Sequence, residues 1–345
     1  LLTMALAGNV QAAEIRSVGP DGEAAVDAST IELTDDQIAQ IKEGGYTAAI
    51  CLHYGGNDWS TSQQKGLEDT FGELGIEIVA VTDANFSAET QVSNIETVMA
   101  KKPDILVSIP TDATATADAY KQAAAAGIKI VFMDQRADGL EAGKDYVSVV
   151  SADNYGNGYA SGTVLGDALG GKGKVAMVYY DANFAPTNQR DEGFRDAMKN
   201  YPDIEIVTEQ GFTDESGCAE QGDAILTQFP NIDGIYASWD VPMEGVLSAV
   251  RAAGMEGKVT LACNDLGNNV AREIASGNIA GGGAQMPYDQ GVAEAKLAAL
   301  ALLGEETPSY VAVPAETVTH ENVLEAYTDV YHVETPDWLK EAYVE

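Results

Sequence analysis

Residues 105–133 read ILVSIPTDATATADAYKQAAAAGIKIVFM, and their pattern decides the fold class. The stretch opens with an apolar run rich in β-branched residues, Ile105–Ile109, and closes with a second, Ile128–Met133. Pro110-Thr111-Asp112 follows the first run, and Ala115–Ala126 has helical period. Apolar runs without polar alternation belong to strands covered on both faces, so strand, helix and strand here predict a parallel βαβ unit.

The same beat extends in both directions. Strand-like runs fall at Thr47–Leu52, Ile76–Val81 and Tyr146–Val150, with helical segments at Ser60–Leu74 and Ala88–Ala100. It then repeats with strands at Val175–Tyr179, Ile204–Val207, Gly234–Ala237, Val259–Ala262 and Ile279–Gly283. Helical segments of this second series are Asn188–Asn200, Cys218–Phe229, Met243–Ala253 and Asn268–Ser276. Two series of similar length predict an α/β protein with two similar doubly wound parallel-sheet lobes rather than one very wide sheet. A last helix, Asp289–Leu303, and a strand, Tyr310–Val313, are expected to return to the first lobe, which makes a multi-strand hinge. The expected division is residues 46–152 with 286–314 in lobe one and 153–285 in lobe two. Residues 13–45, which hold a helix capped by Thr34, form an N-terminal extension, and 315–345 form a hinge return and C-terminal tail.

At 345 residues the chain has room for two domains. Its 54 Asp and Glu against 19 Lys and Arg give a formal charge of −35. Such a surface repels phosphate backbones and anionic lipids, which argues against nucleic acid as a partner. It favours solubility, and a salty medium would screen its self-repulsion. Residues 1–13, LLTMALAGNVQAA, read as the tail of a secretory signal peptide cleaved near Ala12, so the chain is expected to be secreted. Cys51, Cys218 and Cys263 are too few and scattered for a disulfide framework or a zinc site. Buried inert thiols are expected, with a Cys218–Cys263 bridge left open.

Ligands of open parallel sheets bind beyond the carboxyl ends of the strands. In the first series those ends carry His53 to Trp59, Pro110-Thr111-Asp112 and Asp134-Gln135-Arg136. In the second they carry Asp181 to Arg190, Gly211-Phe212, Trp239-Asp240, Asn264-Asp265 and Gln285. Asp112, Asp181 and Asn264 taken singly suit turns or caps, and Trp59 and Trp239 taken singly suit a lobe core. Together, planar polar groups that hold adjacent hydroxyls and aromatic faces that pack C–H surfaces point to a polyhydroxy ligand. Arg190 is read as opening its helix, where the dipole disfavours a cation, so a ligand or carboxylate contact is expected.

The region from Tyr46 to about Val323 resembles the periplasmic sugar-binding proteins of the ribose/galactose type. The resemblance is carried by Asn57-Asp58-Trp59 ahead of Gly66, Ile109-Pro110-Thr111-Asp112, Phe132-Met133-Asp134-Gln135 and Ala152-Asp153-Asn154, then by Arg190-Asp191-Glu192-Gly193-Phe194, Trp239-Asp240 and Ala284-Gln285-Met286. It implies a type I periplasmic-binding-protein fold that closes on a sugar and presents the closed form to the membrane permease of an ABC importer. It places Asn57 and Trp59 on the ligand, Trp59 as a stacking face, with Asp134 accepting from hydroxyls and Arg190 donating to them. Phe212 becomes the facing aromatic, Asp265 and Gln285 complete the shell, and Asp153 marks a hinge crossing. Gln135 stands where ribose binders carry Arg, Ile109 replaces an amide, and Trp239, beside Asp240, stands where many relatives have Asn. These departures argue against ribose and for a deoxysugar, a polyol or a pyranose held between rings.

Enzyme signatures are missing. No Gly-x-Ser-x-Gly or His-Glu-x-x-His occurs, and His53, His320 and His332 are not spaced for a metal. Gly166 to Gly173 spaces like a phosphate loop but lacks the Ser/Thr and follows a helix. The expectation is a monomeric binding protein with no cofactor. The alternative is a receptor that presents a sugar-like signal to a chemoreceptor or sensor kinase.

Overall fold

The computed structural model describes residues 14–344. Two sheets carry the chain. The first has seven strands in the order Val26–Asp27, Tyr310–Val313, Ser148–Ala152, Lys129–Met133, Ile105–Ser108, Thr47–Leu52 and Glu77–Asp83. All its pairings are parallel. The second has six in the order Glu316–Thr319, Gly281–Ala284, Thr260–Cys263, Gly234–Ala237, Lys172–Tyr180 and Asp203–Phe212. It too is parallel except at the edge, where Glu316–Thr319 runs antiparallel to Gly281–Ala284.

The two strand orders are equivalent. In each sheet the first strand of the series lies between the second and the third, so the order reverses beside Thr47–Leu52 and again beside Lys172–Tyr180. A switch of this kind leaves a crevice beyond the carboxyl ends. Interior strand residues such as Ile50, Ile105, Leu106, Val175 and Met177 are fully buried, each large side chain contributing about 1.5–3 kcal/mol. Apolar clusters cover both faces of each sheet.

The chain passes between the sheets three times: from Ser148–Ala152 into the helix Asn154–Ala168, from Gly281–Ala284 into Pro287–Leu302, and from Tyr310–Val313 into Glu316–Thr319. At the first passage the Asp153 carboxylate accepts hydrogen bonds from Arg16 N, Ser17 N, Ser17 Oγ and Gly156 N at 2.8–2.9 Å. The segment ahead of the first sheet is thereby tied to the crossing. The helices Val323–Tyr331 and Asp337–Ala342 pack on the second lobe, with Tyr327, Tyr331, Trp338 and Tyr343 against its core.

One open pairing is settled and one local expectation changes. Cys51, Cys218 and Cys263 are all buried free thiols, so the Cys218–Cys263 bridge is not formed. The helix holding Arg190 starts at Ala185 rather than Asn188, with Pro186 in its first turn, a position proline favours. Arg190 therefore does not open the helix. Its position a turn and a half inside is fixed by close packing against Asn154–Ala168, where a Cβ on Gly158 would stand 1.8 Å from Arg190 O and one on Gly193 2.1 Å from Tyr155 O.

Candidate functional site

The strand ends of both sheets meet around one cavity, lined by residues of both lobes. The first lobe contributes His53, Tyr54, Asn57 and Trp59 after its first strand, then Phe86, Ile109 and Asp134 after the next three in sequence. The second contributes Tyr180, Phe184, Pro186, Thr187 and Arg190, then Trp239 with Asp240, Asp265 and Gln285. Asp134 and Asp265 occupy matching places after the fourth strand of the first lobe's series and of the second's. Both have left-handed backbone, φ 55° and 71°. Non-glycine residues are held there only when their surroundings fix them, and such positions cluster at binding sites.

A continuous hydrogen-bonded belt runs through this lining. Asp134 Oδ1 accepts from Ser151 Oγ at 3.0 Å, Ala152 N at 3.2 Å and Asn154 Nδ2 at 3.3 Å. Asn154 Oδ1 in turn accepts from Arg190 Nε at 2.9 Å. Arg190 Nη1 donates to Ser238 O at 3.3 Å and pairs with Asp265 Oδ2 at 3.5 Å. Asp265 Oδ1 accepts from Gln285 Nε2 at 2.6 Å, and Gln285 Oε1 accepts from Trp59 Nε1 at 3.1 Å. The belt thus starts and ends on the first lobe and passes through the second.

Burial raises the pKa of Asp134 and of Asp265, with the Arg190 charge working against it in both. Asp240 is pushed well up, by burial first and by repulsion from Asp265 second. Burial, helped by Arg190, holds the His53 imidazole down at about 3, so it lines the cavity as a neutral ring. Asn57 Nδ2 and His53 Nδ1 are buried with no hydrogen-bond partner among the described residues. Asn57 spends its oxygen on Ser60 N at 2.8 Å as the cap of the helix Asp58–Glu73, which leaves the amide nitrogen for a guest.

Asn57, Trp59, Asp134, Arg190, Trp239, Asp240, Asp265 and Gln285 are thus brought together, as their strand-end positions predict. Gln135 and Phe212 are not. Gln135 turns away and bridges the lobes, donating from Nε2 to Pro110 O at 2.7 Å and accepting at Oε1 from Ala185 N at 3.0 Å. Phe212 lies behind the lining, 5.2 Å from Trp239 and 5.6 Å from Tyr180 between ring centroids, because those two larger rings occupy the front. His53, Tyr54, Phe184, Pro186 and Thr187 fall within the strand-end stretches that the sequence points to, without a ligand role of their own, whereas Phe86 and Tyr180 fall outside them. Among the described residues no group of three or more His, Cys, Asp or Glu side chains is placed to hold a metal ion.

Several known proteins are similar to this chain over most of its length. A D-ribose/D-allose-binding protein of Pseudomonas aeruginosa is 29% identical over 273 residues, covering 76% of this chain and 83% of its own. The crystal structure of a periplasmic solute-binding protein from Actinobacillus succinogenes with bound D-allose is 29% identical, with TM-score 0.74, covering 81% of this chain and 99% of its own. One from Agrobacterium vitis bound to α-D-tagatopyranose is 26% identical, with TM-score 0.76, covering 85% and 100%. The family model described as periplasmic binding protein domain matches residues 48–306, most of both lobes, and the chain belongs to that family.

Proposed function

We propose that this protein binds a monosaccharide or related polyol between its two lobes and delivers it to the membrane permease of an ABC importer. It is a binding protein and not an enzyme. The observation that carries the reading is the belt from Asp134 through Asn154, Arg190, Asp265 and Gln285 to Trp59, which offers paired acceptors and donors to adjacent hydroxyls at the lobe junction. The relatives named for ribose and allose, and those solved with allose and tagatopyranose, support it.

In this reading Trp59 and Trp239 hold the ring faces, while Asp134 accepts from hydroxyls and Arg190 and Asn57 donate to them. Asp240, Asp265 and Gln285 close the shell. Phe212 backs the aromatic wall, and Gln135 joins the lobes. Lobe one, 46–152 with 286–314, moves against lobe two, 153–285, about the three crossings, and the ligand selects the closed state through contacts made only there. The protein acts as a monomer in the periplasm. No described helix is long and apolar enough to cross a membrane, and the proposed cleavage near Ala12 lies outside the described residues.

A thermal-shift screen against pentoses, hexoses, deoxysugars and polyols tests the reading, because a ligand of the folded state raises the melting temperature. Trp59→Ala and Arg190→Ala are each expected to weaken binding of the hit by about tenfold or more while leaving the fold intact. Stabilisation by an amino acid or nucleoside alone would remove the carbohydrate assignment, and unchanged affinity in both variants would remove the site.

A further inference from the structure

The belt accounts for only part of the lining. Five rings form a second, contiguous wall: His53, Tyr54 and Phe86 from the first lobe, Tyr180 and Phe184 from the second. Tyr54 stacks on Phe86 at 4.2 Å, His53 stacks on Phe184 at 5.5 Å and meets Phe86 edge-on at 5.3 Å, and Tyr180 lies 6.0 Å from Phe86 and 6.1 Å from Phe184. Ile109 adds an aliphatic face to the same cavity. No hydrogen bond among the described residues ties any of the five to the belt. Burial keeps His53 uncharged. Phe86, and Asn85 before it, are held at φ 58° and 47°, a costly backbone for a bulky residue that is kept where the ring it directs has a use.

We infer that this wall selects a deoxysugar: a ring whose hydroxylated edge meets the belt and whose deoxygenated carbon, such as the methyl of a 6-deoxyhexose, packs among the five rings. The inference rests on the carbohydrate reading above and narrows it. A methyl group entering the wall gives up no hydrogen bond to water. A hydroxymethyl group set against Phe86, Phe184 and Ile109 gives one up, because those three carry no side-chain polar atom to replace it, and the wall's polar atoms are confined to His53, Tyr54 and Tyr180. Sites built this way separate a hydroxylated ligand from its deoxy analogue by the cost of the unpaired hydroxyl.

The test is calorimetric titration with three matched pairs: L-rhamnose with L-mannose, L-fucose with L-galactose, and D-fucose with D-galactose. The expected result is that at least one deoxy member binds about tenfold or more tightly than its partner. Phe86→Ser and Phe184→Asn, each checked for folding by circular dichroism, are expected to shrink that ratio to roughly threefold or less, since each brings a hydroxyl partner into the wall. Equal or tighter binding of the hydroxylated member in every pair overturns the inference and leaves the carbohydrate reading standing. So does binding confined to pentoses or acyclic polyols. A ratio unchanged in both variants removes the wall as its cause. If no sugar or polyol binds at all, the carbohydrate reading falls and takes this inference with it.

Discussion

His53 shows how one residue changes meaning between sequence and fold. Its place after the first strand suits a polar contact or a titrating group, yet the fold encloses it in rings and pushes its pKa from 6.5 to about 3. The expected outcome is an imidazole that stays neutral from about pH 8 to about pH 4 in the folded protein. Its ring-proton shifts followed by NMR should be flat over that range, and a midpoint near 6 would contradict the burial. Gln135 and Phe212 carry the complementary lesson. Each sits at a strand end, where polar or aromatic chemistry was legible. What was not legible is the direction of the side chain, because Gln135 is turned by two backbone partners, Pro110 O and Ala185 N, that lie on different lobes. Phe86, Tyr180 and Phe184 escaped selection for a related reason. An apolar ring in a turn looks ordinary until the opposite lobe supplies its neighbour.

At the scale of elements, the alternation of buried runs and helical segments was enough to predict parallel strands, their order along the chain and the return of Tyr310–Val313 to the first sheet. Ends were less legible. The helix Asn268–Ala275 begins after Gly267, which offers no side-chain cap. Its missing acceptor comes from the other lobe: Asp58 Oδ2 accepts from Asn268 N at 2.7 Å and Oδ1 from Asn268 Nδ2 at 3.0 Å. An orphaned first-turn N–H of one lobe is thus satisfied only while the lobes are together. The carboxylate also meets the positive end of that helix. Asp58 lies beside Trp59 and Asn57, so under the proposed closure ligand contacts and this clasp would form together. Asp58→Ala is expected to cost about 1 kcal/mol, the value of a cap, seen as a roughly fivefold loss of affinity. Most of it should appear in the dissociation rate, since in the proposed mechanism the clasp is made only on closure. Stopped-flow release of the bound sugar measures this. A change confined to the association rate would argue that Asp58 acts by steering the ligand instead.

For the whole molecule the governing fact is negative charge, outside and inside. The surface carries most of a net −35, and the interior holds Asp134, Asp191, Asp240, Asp265 and Glu294, each with its pKa raised, burial being the first cause in every case. Asp191 reaches about 6 even with Ser238 Oγ donating to it at 2.6 Å. A carboxyl raised in the folded state keeps its proton where the unfolded chain, with values near 4, has released it. Its contribution is therefore greatest at acid pH and declines as pH rises through that window. His53 acts in the opposite sense, since a lowered imidazole stabilises the fold less as pH falls from 6.5 towards about 3. One histidine against five carboxyls leaves the balance on the acid side, and relief of surface repulsion adds to it. The melting temperature is accordingly expected to rise between about pH 8 and about pH 5.5. Salt separates the two sources. Repeating the series in about 1 M salt, where the screening length is near 3 Å, should remove the surface share and leave the share of the buried carboxyls. A slope that vanishes entirely in salt would assign the whole effect to the surface. A melting temperature that falls towards pH 5.5 would mean that these carboxyls stay ionised in the folded protein.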